Sequence, residues 1–177
     1  MKLKYLAAAW GLAEATVFFI VPDVLLTFVA LKDGKRATKL CLWTLGGALV
    51  GGTIMFWWGS HDKGAAEDLL VEIPAIDLAM LEKVEGQIEE GGAKALFVGP
   101  ITGRPYKIYA VNAGGTGVSY VTFLFVSVPA RLLRFLALAW LTTAISKSLL
   151  RKKSPRFKTL LQIAIWMGFY TWYFWVM

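Results

Sequence analysis

Glu14 and Asp23 stand nine residues apart in the largely apolar stretch 3–31, and Arg104 and Lys107 stand three apart in a second broken apolar stretch, 95–117. Charge placed in hydrocarbon costs several kcal/mol unless it is paired or hydrated, so both sets are site candidates. A carboxylate taken out of water holds its proton more tightly, which makes Glu14 and Asp23 candidates for proton coupling. Arg104 suits a phosphate, because a planar guanidinium gives two parallel hydrogen bonds, and Lys107 adds a point charge. Alternatively, Arg104 and Lys107 simply pair with Glu14 and Asp23. Arg131 and Arg134, three apart in a later apolar run, share a helix face. They either join the site as substrate-binding residues or snorkel to a surface.

The elements that carry these residues cannot all be continuous helices. On one straight helix, Glu14 and Asp23 are separated by a turn of about 900° and face opposite ways. A break between them removes that obstacle. Pro22 supplies one by removing a donor and disfavouring helix at Val21. In the second stretch Gly99, Pro100, Gly103 and Pro105 make a continuous helix improbable. Non-helical backbone at membrane depth is tolerated only against protein or a water-filled cavity. Segment 3–31 is too long for one untilted crossing and too short for two, so it reads as a re-entrant hairpin, with a single tilted helix as the alternative.

Three further segments are candidate spans: 40–59, 118–146 and 157–177, the last with an aromatic end. The loops at 32–39 and 147–158 are basic, whereas 60–94 carries Asp62, Glu67, Asp68, Glu72, Asp77, Glu82, Glu85, Glu89 and Glu90 against Lys63, Lys83 and Lys94. If the basic loops share the cytoplasmic side, the first hairpin enters and leaves by that face and the second by the opposite one. The expected fold is an all-α integral membrane domain. It has two oppositely oriented re-entrant hairpins, each followed by a transmembrane helix, and a C-terminal transmembrane helix. That is an inverted repeat in outline, the arrangement in which broken segments build a transport site. Segment 60–94 reads as extracytoplasmic and amphipathic, with Leu78, Leu81, Val84 and Ile88 at helical spacing, Asp77 as N-cap and Gly91-Gly92 as stop. Gly47 and Gly51 have the G-x-x-x-G spacing of close helix packing, expected chiefly inside the protomer, with a homodimer contact as the other use.

Composition narrows the function classes. The chain is 57% hydrophobic with a net charge of +7, but its positive residues sit in short loops beside apolar segments, a topological signal rather than a nucleic-acid face. Cys41 alone excludes an intrachain disulfide and reads as apolar filler. His61 reads as a surface residue. With no histidine nucleophile and no metal-ligand cluster, a lipid-phosphate enzyme is the weaker reading, and no metal or cofactor is expected.

The order of these residues resembles the DedA family of bacterial membrane proteins. Glu14, followed by Val21-Pro22-Asp23, is similar to that family's first motif. Gly91-Gly92, Val98-Gly99-Pro100-Ile101-Thr102-Gly103-Arg104 and Ala113-Gly114 are similar to its second, and Trp140 falls where the family often has a tryptophan. The chain departs in having Asp at position 23, a glycine near the place of the second motif's first arginine, and Arg104 offset by about one position. The resemblance implies two facing hairpins and a flippase or scramblase for a phosphate-bearing lipid, such as a phospholipid or undecaprenyl phosphate. It also implies possible proton coupling in the inner membrane, with membrane lipids and protons as partners. A small-ion or proton antiporter and a non-transporting membrane assembly factor are the alternatives.

Overall fold

The computed structural model describes residues 2–176, and among them every regular element is helical. In chain order these are α1 (Lys2–Thr16), α2 (Asp23–Ala30), α3 (Gly34–His61), α4 (Lys63–Val71), α5 (Leu78–Gly91) and α6 (Ala93–Val98). A 3-10 turn (Gly99–Thr102), α7 (Tyr106–Gly115), α8 (Tyr120–Lys147) and α9 (Pro155–Val176) complete the chain. Two helices, α3 and α8, are long and apolar enough to cross a membrane. Each has 28 residues, about 42 Å at 1.5 Å per residue. The span expected at 157–177 is a helix of similar extent, but α9 is not one of those two, and Met177 lies outside the described residues.

Small residues set the tightest interface. Gly47 lies against the backbone of Ala8, Gly51 against Leu12, and Gly11 against Thr44, each so closely that a Cβ would overlap the neighbouring carbonyl. The G-x-x-x-G pair therefore packs inside the protomer. Rising numbers in α1 meet rising numbers in α3, so the two helices run parallel. Parallel neighbours joined in sequence require the chain to return between them, and α2 makes that return. It packs Leu26 and Ala30 with Ala7 of α1 and with Ala37, Leu40 and Cys41 of α3.

The second broken stretch doubles back in the same manner from the other end. Gly52 abuts Tyr106, Gly59 abuts Val111, and Gly114 abuts the backbone at Phe56 and Ser60, so α7 also runs parallel to α3. Its predecessor α6 leads from the acidic end to Pro100, whose carbonyl oxygen accepts from Arg134 near the middle of α8. Helix α8 runs antiparallel to α3. The Tyr120 and Thr53 hydroxyls are 3.0 Å apart at one end, and Trp140 Nε1 donates to Thr38 Oγ1 (3.1 Å) at the other. Helix α9 runs antiparallel to α2: Gln162 and Trp166 donate to Thr27, and Tyr170 accepts from the Val21 N–H.

The acidic segment forms α4 and α5 at the far end of α3. Asp77 caps α5 by accepting from Met80 N (2.7 Å), and the helix stops at Gly91, followed by Gly92 at φ +48°. Leu81, Val84 and Ile88 face the core, but Leu78 is 66% exposed. Much of the surface of α3, α8 and α9 is apolar and open, including Leu42, Val50, Val121, Phe125, Leu133 and Leu160.

Candidate functional site

Helix α1 ends at Thr16, six residues before Pro22, so the break occupies 17–22 rather than Pro22 itself. Backbone left outside a helix must find other partners when it is buried. Here three elements supply them. Lys107 Nζ donates to the Phe18 carbonyl (2.8 Å), Trp10 Nε1 to the Ile20 carbonyl (2.9 Å), and the Val21 N–H donates to Tyr170 Oη (2.9 Å). Pro22 has no N–H to satisfy and occupies the N-cap position of α2.

The break lets both acids face α8. Glu14, in the last turn of α1, meets the Arg131 guanidinium with both of its oxygens: Nη1 is 3.4 Å from Oε1, and Nη2 pairs with Oε2. Arg131 is fully buried, held between the rings of Tyr106 (4.7 Å) and Phe135 (4.9 Å). Tyr106 is fixed in turn by donating to Ser127 Oγ (3.0 Å). Asp23, in the first turn of α2, accepts from Arg134 Nη2 at Oδ2 (2.7 Å). Its carboxylate also sits at the positive end of that helix. It does not cap α2 through its side chain; it is committed to Arg134. Arg131 and Arg134 are near the midpoint of α8, about 20 Å from either end.

The second break closes on the first. Gly99 lies so close to the Tyr109 ring that any side chain would overlap it, and Gly103 has φ +102°, a left-handed conformation that glycine adopts without strain. Pro105 then starts α7. Phe18 and Val21 from the first break, Gly103, Arg104 and Pro105 from the second, and Tyr170 from α9 line a cavity of about 80 Å³, room for several waters. Glu14, Lys107 and Arg134 reach the same cavity. A larger groove of about 430 Å³ adjoins it between α2, α8 and α9, sharing Val21, Gly103, Arg134 and Phe169. Asp23 lies on this groove.

The pairing differs from the simple match of the two broken stretches. Glu14 and Asp23 pair with Arg131 and Arg134, whereas among the described residues neither Arg104 nor Lys107 forms an ion pair. Four cations thus surround two carboxylates. Of the four buried side-chain polar atoms without a hydrogen-bond partner among the described residues, two, Asp23 Oδ1 and Arg131 Nε, belong to these pairs. Unsatisfied groups of this kind mark a place where water or a ligand completes the network. Trp10, Tyr106, Ser127 and Tyr170 were not legible as site residues. Tyr106 follows Pro105 in the broken stretch, a positional hint, but nothing in the sequence brings Tyr170 to Val21. His61 is exposed at the end of α3 and takes no part.

No family model matches this chain, and no solved structure matches it. An uncharacterized protein of Haemophilus influenzae is 28% identical over 126 residues, which make up 71% of this chain and 65% of that protein. The match therefore spans just under two thirds of the relative's length.

Proposed function

We propose that this chain is a multi-pass protein of the bacterial inner membrane that moves a phosphate-bearing lipid across the bilayer, as its resemblance to the DedA family implies. The observation that carries the reading is the meeting of two chain breaks from opposite ends of the bundle around an excess of cations. The two long apolar helices and the open apolar faces of α3, α8 and α9 suit a lipid surround. The basic loops at one end and the acidic helices at the other follow the charge bias of membrane topology.

In this reading the site is closed by its own acids. Glu14 and Asp23 hold Arg131 and Arg134 in place of a substrate. An arriving phosphate takes Arg134 from Asp23 and engages the unpaired cations Arg104 and Lys107 in the adjoining cavity. Arg134 is the natural exchange point because it faces both the cavity and the groove, whereas Arg131 is enclosed by aromatic rings. A proton taken up by the acid pair would offset the charge left unpaired when Arg134 turns to the phosphate, which couples the exchange to protons. No covalent step is needed, so the proposed activity is transport rather than catalysis.

The test is reconstitution into vesicles holding a fluorescent phosphatidylglycerol whose outer-leaflet signal is removed by dithionite. Wild-type protein accelerates loss of the protected fraction. Glu14→Gln and Arg104→Ala abolish the acceleration while each variant remains folded by circular dichroism. Wild-type protein that leaves the rate at its protein-free value, or both variants transporting normally, would sink the reading.

A further inference from the structure

The apolar groove has a second charged end. Where the α2–α3 turn, the end of α8 and the start of α9 converge, Lys32, Lys147, Arg151 and Lys158 line a cup of about 360 Å³. A smaller hollow beside it adds Lys153. No carboxylate lines either one, and none of these five cations is in an ion pair among the described residues. Lys158 is the junction. Its Nζ donates to Ser146 O (2.8 Å) and Ser146 Oγ (2.9 Å), while Ser146 Oγ donates to the Leu31 carbonyl (2.8 Å). One of the three ammonium donors is left for a ligand. Both Leu31 and Lys158 also line the apolar groove, so cup and groove are neighbours that share these two residues as walls.

We propose that this cup captures the head group of an anionic phospholipid and feeds it along the groove to Arg134. This rests on the transport reading above and assigns the lipid's point of entry. Charge complementarity selects the occupant: a cationic, carboxylate-free cup suits a phosphate, and basic pockets between helices at the cytoplasmic side bind anionic head groups. The adjoining groove, walled largely by apolar residues such as Leu138, Leu141, Ile145 and Leu161, suits acyl chains, which a free phosphate lacks. Ser146 and Arg134 are twelve residues apart on α8, about 18 Å, so one head group cannot occupy both ends and must travel between them.

The test uses the full chain carrying Lys32→Gln, Lys147→Gln and Arg151→Gln together, three exposed positions away from the central site. In vesicles with a low mole fraction of phosphatidylglycerol, the triple variant moves the lipid roughly tenfold more slowly than wild type. The deficit closes as the fraction rises, because the central site is intact. Native mass spectrometry of the detergent-solubilised protein shows phosphatidylglycerol adducts on wild type and their loss from the variant. Equal transport at every mole fraction, together with equal adducts, overturns the proposal. So does displacement of the adducts by millimolar inorganic phosphate, which would make the cup a free-anion site. If wild type moves no lipid yet keeps adducts that the variant loses, the transport reading fails and lipid capture at the cup stands.

Discussion

The two breaks are built from opposite materials. The first, at 17–22, carries its charges on the flanking helices, and those charges are acids, each matched to an arginine of α8. Its loose backbone is tied by Lys107, Trp10 and Tyr170. The second, at 99–105, is shaped by glycine and proline and brings in cations that no carboxylate matches. Lys107 spends its charge on a carbonyl of the first break, and Arg104 faces the cavity. The difference separates two kinds of charge: the acid–arginine pairs tie α1 and α2 to α8, and the cations of the second break have no carboxylate partner among the described residues.

The strongest way to break that division is Arg131→Ala, which leaves Glu14 buried with no guanidinium. Loss of one partner of a buried pair costs about 3–5 kcal/mol, so thermal unfolding in detergent shifts sharply downward. Glu14→Gln combined with Arg131→Met removes both charges and loses less than the two single changes summed. Next comes Tyr170→Phe, which removes the acceptor of the Val21 N–H. A partly buried donor left without its partner beside a cavity that can hold water costs about 1 kcal/mol, read in the same unfolding assay. Arg104→Ala sharpens the comparison from the other side. Stability falls by no more than about 1.5 kcal/mol while lipid transport is lost, because this side chain lies beside the Tyr109 hydroxyl but is in no ion pair among the described residues.

The smallest effect lies outside the site. Burial pulls the Lys63 ammonium downward, but its hydrogen bond to Glu85 and the charges of Glu67 and Glu85 outweigh this and raise it above the ordinary lysine value. A raised lysine contributes stability that is fully present below its unfolded pKa, about 10.4, and is lost as pH rises through the folded value. Because the group is partly exposed, Lys63→Met costs less than about 1 kcal/mol, and its difference from wild type disappears in strong alkali.

Much of the frame was legible because it rests on local rules. Pro22 and the Gly99–Pro105 cluster announce breaks, Asp77 and Gly91-Gly92 bound α5, and the glycines of α3 announce a close neighbour. The start of the first break was not legible: nothing local to Val17 forbids helix, and Trp10, Lys107 and Tyr170 release the chain there by satisfying its backbone. The partners of the acids were not legible either. Arg131 and Arg134 share a face by their spacing, yet only the antiparallel packing of α8 on α3 turns that face toward Glu14 and Asp23. Leu78 fits the helical spacing of Leu81, Val84 and Ile88 yet is exposed, because periodicity describes a face and not which of its residues find a neighbour.

The central claim is that the unmatched cations select a phosphate. The direct measurement compares two fluorescent lipids with matched acyl chains in the same vesicles, phosphatidylglycerol and glucosylceramide, the second having no phosphate. The account predicts that wild-type protein accelerates translocation of phosphatidylglycerol and leaves glucosylceramide at its protein-free rate. Equal acceleration of both lipids would contradict it.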